Sequence, residues 1–273
     1  MVELFECDAK MSVWRSSKGN QLKWENNGIW YKADYTGYEG LAEYITASLL
    51  TYSTLKSDEY VIYQTEEINY KHNRYRACKS KNFLPEGWKL ITLERLFQSI
   101  CGESLNKSIY SIRKNADRIH FLTEQIIRIT GLEEFGTYLS KLLAIDALFL
   151  NEDRHTHNIA VLLDDAGKYH YCPVFDNGAA LLADTTIDYP LSGELSDLIS
   201  EVKAKTFCQD FDEQLDLAEQ LYGSHIHFHY TEKEIDRLLA KEPYYPEEIK
   251  QRVKMILMYQ KRKYQYLFTE PES

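Results

Sequence analysis

The hydrophobic pattern of the chain changes character once, near residue 85, and this change limits the possible folds more than any other feature. Before it, short aromatic-rich runs are separated by turns that contain Gly or Asn, which is typical of β-hairpins. In this part only 40–54 has helical periodicity. After Pro85-Glu-Gly87, apolar residues recur mainly at helical spacing. The sequence therefore predicts an α+β chain with a small strand-rich N-terminal part and a larger helical C-terminal part.

The same periodicities give approximate bounds for the individual elements. In the N-terminal part we expect strands at 21–24, 28–33, 60–64 and 75–79. In the C-terminal part we expect helices at about 91–100, 117–130, 137–150, 210–222 and 246–268. Thr231 and Glu234 have the spacing of a capping box, which marks the start of a further helix.

One hairpin interrupts the helical part. Its predicted strands are 158–163 and 168–175, joined by the loop Asp164-Asp-Ala-Gly167. If residue 163 faces residue 168, Asn158 and Asp176 meet at one end of this hairpin. The sequence therefore brings two oxygen-bearing side chains together from separate segments.

The length of 273 residues suits one bilobed domain or two small ones. We place the smaller lobe at residues 1–82 and the larger one at 85–273, with an interlobe hinge at about 78–84.

Charge and cysteine content exclude several classes of function. Acidic residues outnumber basic ones by 42 to 32, so the net charge is −10 and general nucleic-acid binding is not expected. The five cysteines form no CxxC pair, which indicates neither a disulfide framework nor a zinc site. The acidic start and the absence of a long apolar run indicate no signal peptide and no membrane span. We therefore expect a cytoplasmic protein with reduced thiols and no membrane partner.

The polar stretch at 150–158 carries the clearest chemical signal. It contains Asp153 and Asn158, and Asp176 follows the second strand of the predicted hairpin, with Gly178 two residues later. Carboxylate and amide oxygens are ligands that Mg²⁺ accepts, particularly when substrate phosphates complete its coordination. The order and spacing match those by which protein kinases place a catalytic Asp, a metal-binding Asn and a metal-binding Asp.

A kinase interpretation also requires residues upstream. A lysine on a strand should meet the nucleotide phosphates, and a glutamate on the next helix should hold it. Lys32 and Glu43 have these positions. The stretch Ser16-Ser-Lys-Gly-Asn20, with Ser17, Lys18 and Gly19 at its centre, is a candidate loop over the phosphates.

Two of these segments resemble a known family. Asp153-Arg-His-Thr-His-Asn158 followed by Pro173-Val-Phe-Asp176 is similar to the catalytic and metal loops of the HipA-like, CtkA-type atypical serine/threonine protein kinases. Tyr75-Arg-Ala-Cys-Lys79 and Lys205-Thr-Phe-Cys208 resemble further segments of the short CtkA-type members.

The resemblance implies a two-lobed protein-kinase-like fold that binds ATP and Mg²⁺ and phosphorylates a Ser or Thr of a protein substrate. It implies Asp153 as catalytic base, His155 as the residue that orients the catalytic loop, and Asn158 and Asp176 as Mg²⁺ ligands. Lys32, with Glu43, is assigned to the nucleotide phosphates. Lys79 is also assigned to the nucleotide, beside a hinge whose backbone meets adenine.

Other interpretations remain open at the sequence level. The chain could be a nucleotide-binding pseudokinase that acts as an interaction module, because the candidate phosphate loop has one Gly where several are common. It could instead phosphorylate a small molecule or a lipid, because the D-R-H loop is shared beyond protein kinases. Residues 179–200 hold several hydroxyl side chains and are expected to form an activation loop with sites of autophosphorylation. His225, His227 and His229 are expected on a surface strand rather than on a metal.

Overall fold

The chain, described here by a computed structural model over residues 1–10 and 21–269, begins with a five-stranded sheet and one long helix. In this sheet β1 pairs parallel with β4, and the other neighbours are antiparallel, in the order β1-β4-β5-β3-β2. The elements are β1 (Val2–Glu3), β2 (Lys23–Asn26), β3 (Ile29–Ala33), α1 (Glu39–Leu50), β4 (Gln64–Tyr70) and β5 (Asn73–Lys81).

Two tight turns set the register of this sheet. Asn27 and Gly28 connect β2 to β3 with φ values of 52° and 76°. Lys71 and His72 connect β4 to β5 with φ values of 50° and 64°. Two successive left-handed residues form a turn whose twist matches that of the paired strands.

The two faces of the sheet differ in character. Trp24, Tyr31 and Ala77 belong to a buried apolar cluster on one face. The opposite face carries Lys32 beside Cys78, its direct neighbour on β5, and packs against α1. Because side chains alternate along a strand, this pattern directs Lys32 toward the rest of the chain.

The remaining chain is mainly helical and surrounds one apolar helix, α5. This helix is the centre of the helical part, since twelve of its fifteen residues are buried. The helices are α2 (Leu93–Cys101), α3 (Leu105–Ser111), α4 (Asn115–Thr130), α5 (Phe135–Phe149), α6 (Leu195–Glu201), α7 (Phe211–Tyr222), α8 (Glu232–Ala240) and α9 (Glu247–Lys263). None of the helices in the described ranges is both long and apolar enough to cross a bilayer.

A second sheet consists of β6 (Lys89–Thr92), β7 (Ala160–Leu163) and β8 (Tyr169–Tyr171), in that order. The hairpin β7-β8 was predicted, but its register was wrong by one residue. Leu163 pairs with Tyr169, because Asp164 and Lys168 close the loop and Gly167 takes a left-handed φ of 80°. A three-residue loop with a left-handed third residue is a common hairpin connection.

Most predicted elements occur in the structure, with corrections at the ends. The predicted strand at 60–64 is displaced, since β4 begins at Gln64 and Tyr60 instead makes an isolated bridge to Val174. The predicted helix 246–268 ends as an α-helix at Lys263 and continues as a 3-10 turn, Gln265–Phe268. The capping box of Thr231 and Glu234 is present at the start of α8.

Candidate active site

A lysine and two carboxylates form the centre of the candidate site. The Nζ atom of Lys32 on β3 lies 2.7 Å from Oε1 of Glu43 on α1 and 2.7 Å from Oδ1 of Asp176. The side chain of Glu43 is 1% exposed and that of Lys32 is 13% exposed. The structure therefore joins the sheet, α1 and the segment after β8 through one ammonium group.

The charges in this cluster fix its protonation state. Burial alone would favour neutral Lys32, but Asp176 and Glu43 raise the pKa of its ammonium well above the usual range. Burial would likewise favour protonated Asp176, but the positive charges of Lys32 and then Lys23 hold its pKa below the usual range. The cluster is therefore an ammonium between carboxylates at neutral pH.

The loop between α5 and β7 places Asp153 and Asn158 together. Nδ2 of Asn158 donates to the backbone oxygen of Asp153 at 2.8 Å and to its Oδ2 atom at 3.2 Å. The amide nitrogen of Asn158 is therefore used inside the loop. Its Oδ1 atom accepts no hydrogen bond within the described part of the chain.

His155, the residue expected to orient the catalytic loop, lies beside the carboxylate of Asp153. Its Nδ1 atom accepts from the backbone N–H of His157 at 3.2 Å, and its Nε2 atom lies 3.6 Å from Oδ1 of Asp153. Burial, together with the nearby charge of His157, lowers the pKa of His155 to about 4. The ring is therefore neutral at pH 7, with its proton on the nitrogen that faces Asp153.

Arg154 joins three segments of the site and was given no role by the sequence. Its guanidinium group contacts both carboxylate oxygens of Asp146 on α5 at 3.1 Å. It also donates to the backbone oxygens of Phe175 at 2.8 Å and Asn158 at 3.2 Å, and to Oδ1 of Asn177 at 2.7 Å. The D-R-H motif contains this arginine, but its acceptors come from segments that only the folded chain brings together.

The backbone around the site is unusually strained. Four residues other than Gly have left-handed φ values between 55° and 60°, namely Leu150, Asp176, Leu181 and Leu182. Such conformations are unfavourable and concentrate at functional sites, where surrounding contacts impose them. Here Arg154 and a 2.8 Å hydrogen bond from the Asn177 N–H to Oε2 of Glu43 impose them around Asp176.

These residues line one pocket that suits a hard divalent cation. Its walls include Asp153, Asn158 and Asp176, together with Glu39 and Asp184. Mg²⁺ prefers oxygen ligands and keeps part of its shell for water and phosphate. The carboxylate of Asp176 and the amide oxygen of Asn158 fit that preference, whereas His155 is turned toward Asp153 and is not needed as a ligand.

One residue assigned to the nucleotide, Lys79, lies elsewhere. Lys79 does not reach the pocket, because it faces Tyr31 across the sheet and so lies on the opposite side from Lys32. Its Nζ atom instead lies 2.9 Å from Oε2 of Glu66. Ser17, Lys18 and Gly19 lie outside the described residues.

The three histidines at 225–229 form no metal site. Nε2 of His225 contacts the backbone oxygen of Tyr222, and the His229 ring packs against Tyr52. Within residues 1–10 and 21–269, no three His, Cys, Asp or Glu side chains converge as metal ligands.

Comparison with known proteins supports the fold through structure rather than sequence. No protein-family model and no curated protein matches the sequence. The proinflammatory kinase CtkA of Helicobacter pylori matches 96% of this chain and 94% of its own, with a TM-score of 0.61 at 15% identity. This chain has a kinase-like fold. The predicted resemblance to HipA-like, CtkA-type kinases is thus confirmed at the level of the fold.

The kinase-like fold is also similar to a second solved structure. The match to HipA of Shewanella oneidensis MR-1, in its complex with HipB and operator DNA, covers 93% of this chain and 67% of the HipA chain, with a TM-score of 0.47 at 14% identity.

Proposed function

We propose that the protein is an ATP- and Mg²⁺-dependent kinase of HipA-like type that phosphorylates a Ser or Thr hydroxyl of a protein. The observation that supports this most strongly is the contact of Lys32 with both Glu43 and Asp176 at 2.7 Å, because Asp176 also lines a pocket with Asp153 and Asn158. Kinases need a lysine held by a helix glutamate and a metal-binding aspartate in the same cleft.

Each residue has a defined task in this reaction. When bound, Mg-ATP supplies the phosphoryl group and the cation that neutralises its charge. Asn158 and Asp176 would hold the metal, and Lys32 would contact the phosphates. Asp153 orients the acceptor hydroxyl and takes its proton as the new O–P bond forms and ADP leaves.

His155 supports Asp153 without exchanging protons at neutral pH. Its Nε2–H faces the carboxylate, so it favours the ionised form that a base requires. Because its pKa is about 4, the ring does not take up a second proton at neutral pH.

The two-lobe division at 1–82 and 85–273 is part of the proposal. β5 ends at Lys81, and Phe83 follows with its ring centre 5.8 Å from that of Phe175, one residue before Asp176. We place the hinge at 78–84, where backbone groups would contact adenine.

The test is phosphoryl transfer from γ-labelled ATP with Mg²⁺, in the presence of casein as a generic acceptor. We expect label on Ser or Thr of casein or of the protein itself, located by mass spectrometry, and no label with Asp153→Asn. Mg-ATP binding without any transfer would contradict the kinase proposal and support a pseudokinase. Transfer only to added lipid or small alcohols would contradict the protein acceptor.

A further inference from the structure

A second lysine faces the same cleft as Lys32. Lys23 on β2 is the direct partner of Lys32 on β3 in the antiparallel pair. Directly opposed residues project from the same face of a sheet. The next pair, Trp24 and Tyr31, points the other way, into the buried apolar cluster. Lys23 therefore shares the face of the sheet that looks onto Asp176.

Lys23 differs from Lys32 in its partners. Lys23 is half-buried, and within residues 1–10 and 21–269 no carboxylate forms an ion pair with it. The charge of Lys32, in contrast, is compensated by two carboxylates.

This difference matters because the cleft is acidic. Glu39, Asp153, Asp176 and Asp184 line the pocket, and the ammonium of Lys32 is already neutralised by its partners. A nucleoside triphosphate carries several negative charges, which such walls repel. Among the described residues, a cation without a carboxylate partner is the group best placed to offset this repulsion.

We propose that Lys23 is a second phosphate-binding lysine, which contacts the terminal phosphates of the bound nucleotide. This inference rests on the proposed function, since it concerns the same nucleotide site. It assigns part of the phosphate affinity to the β2-β3 hairpin rather than to a glycine-rich loop. A lysine suits this role because its ammonium is a compact charge on a flexible stem.

The test compares three nucleotides by isothermal titration calorimetry, each with Mg²⁺. For Lys23→Met we expect the Kd of Mg-ATP to rise about tenfold, the range expected when one charged contact is lost. AMP binding should change less than twofold, since AMP lacks the terminal phosphates, and ADP should fall between the two. Lys23→Arg should retain most of the ATP affinity.

Lys233→Met provides the control for the loss of one positive charge. Lys233 is exposed in the first turn of α8, in the helical part of the chain, and does not line the pocket. This variant removes the same charge as Lys23→Met, and we expect all three Kd values to stay within twofold of wild type. The melting temperature without nucleotide, measured for each variant, shows whether the hairpin has kept its fold.

The outcomes separate this inference from the proposed function. If wild type binds Mg-ATP but Lys23→Met behaves like Lys233→Met, the role of Lys23 is wrong and the kinase proposal stands. If Lys23→Met weakens AMP as much as ATP, Lys23 supports the sheet and does not bind phosphate. If wild type binds none of the nucleotides, both proposals are wrong.

Discussion

The carboxylates of Asp153 and Asp176 have different proposed roles, so their substitutions should affect turnover and Mg-ATP binding differently. Asp153→Asn keeps the shape of the loop but removes the proposed base. We expect turnover to fall about 10²-fold or more with a nearly unchanged Kd for Mg-ATP, measured by kinetics and calorimetry.

Asp176→Asn should instead impair binding as well as turnover. It removes the charge that holds Lys32 at 2.7 Å and that would bind Mg²⁺. The Kd of Mg-ATP should therefore rise together with the loss of turnover. Equal behaviour of the Asp153 and Asp176 variants in binding would contradict the separate roles given to them.

Arg154 should matter for stability more than for chemistry. Arg154→Met leaves the buried carboxylate of Asp146 unpaired, and breaking a buried ion pair typically costs about 3–5 kcal/mol. Urea unfolding should show this loss. The double variant Arg154→Met, Asp146→Leu should recover part of it, because no buried charge is then left alone. A single variant as stable as wild type would show that Arg154 does not hold the loops together.

At the scale of residues, spacing along one segment was enough to predict which side chains of one loop lie together. Asp153, His155 and Asn158 lie within one loop, and the structure brings them together with Lys32 and Asp176. Spacing was not enough where the position of a side chain depends on which face of a strand carries it. Lys79 was assigned to the nucleotide, but the pairing of the strands directs it away from the cleft. That pairing depends on turns whose geometry the sequence pattern did not reveal.

At the scale of elements, the position of α1 determines whether Glu43 reaches Lys32. The start of α1 is fixed by Asp34, whose Oδ1 atom accepts from the Gly40 N–H at 2.7 Å. Its Oδ2 atom accepts from the Tyr245 hydroxyl, just before α9, also at 2.7 Å. A Cβ atom at position 40 would lie 2.7 Å from that hydroxyl, so only Gly fits. The C-terminal helices thus help to set the helix that carries Glu43.

This contact should make stability depend on pH. Burial, and then the charge of Glu39, raises the pKa of Asp34 to about 7. The folded chain therefore keeps a proton that the unfolded chain releases near pH 4, and the stability from Asp34 is lost as pH rises toward 7. Asp34→Asn keeps the acceptor for Gly40 without this titration. Between pH 5 and pH 8, the free energy of unfolding of Asp34→Asn should therefore rise by about 1 kcal/mol or more relative to that of wild type.

Urea unfolding at several pH values measures this difference. The control is Asp58→Asn, because Asp58 is an exposed carboxylate. The control should follow the wild-type profile. Parallel profiles for Asp34→Asn and wild type would contradict the buried-carboxylate explanation.

Elements were predicted most accurately where they are long and periodic. The predicted helices at 117–130 and 210–222 match α4 and α7 within two residues, because many buried positions define their period. Short elements such as β6, α3 and α6 were missed, since four to seven residues contain too few periods to be distinguished from a loop. The β7-β8 register failed by one residue because a single left-handed Gly167 decides it.

At the scale of the whole molecule, a nucleotide between the sheet and the helical part should stabilise the folded chain. At 100 times its Kd, a ligand that binds only the folded state adds about 2.7 kcal/mol. For a chain of this size that raises the Tm by roughly 5–10 °C, which thermal unfolding with and without Mg-ATP can measure. Lys32→Ala should reduce the shift, and Lys233→Met should not. No shift at millimolar Mg-ATP would contradict the nucleotide site.

The contact between Lys32 and Asp176 also makes the cation and the nucleotide parts of one equilibrium. A phosphate that draws Lys32 away frees the carboxylate of Asp176 for a cation, and a cation on Asp176 frees Lys32 for phosphate. Thermodynamic linkage then requires each ligand to raise the affinity for the other by the same factor. Two titrations, Mg²⁺ first and nucleotide first, should therefore return one coupling constant, so the chain responds to the Mg²⁺-nucleotide complex as a single signal.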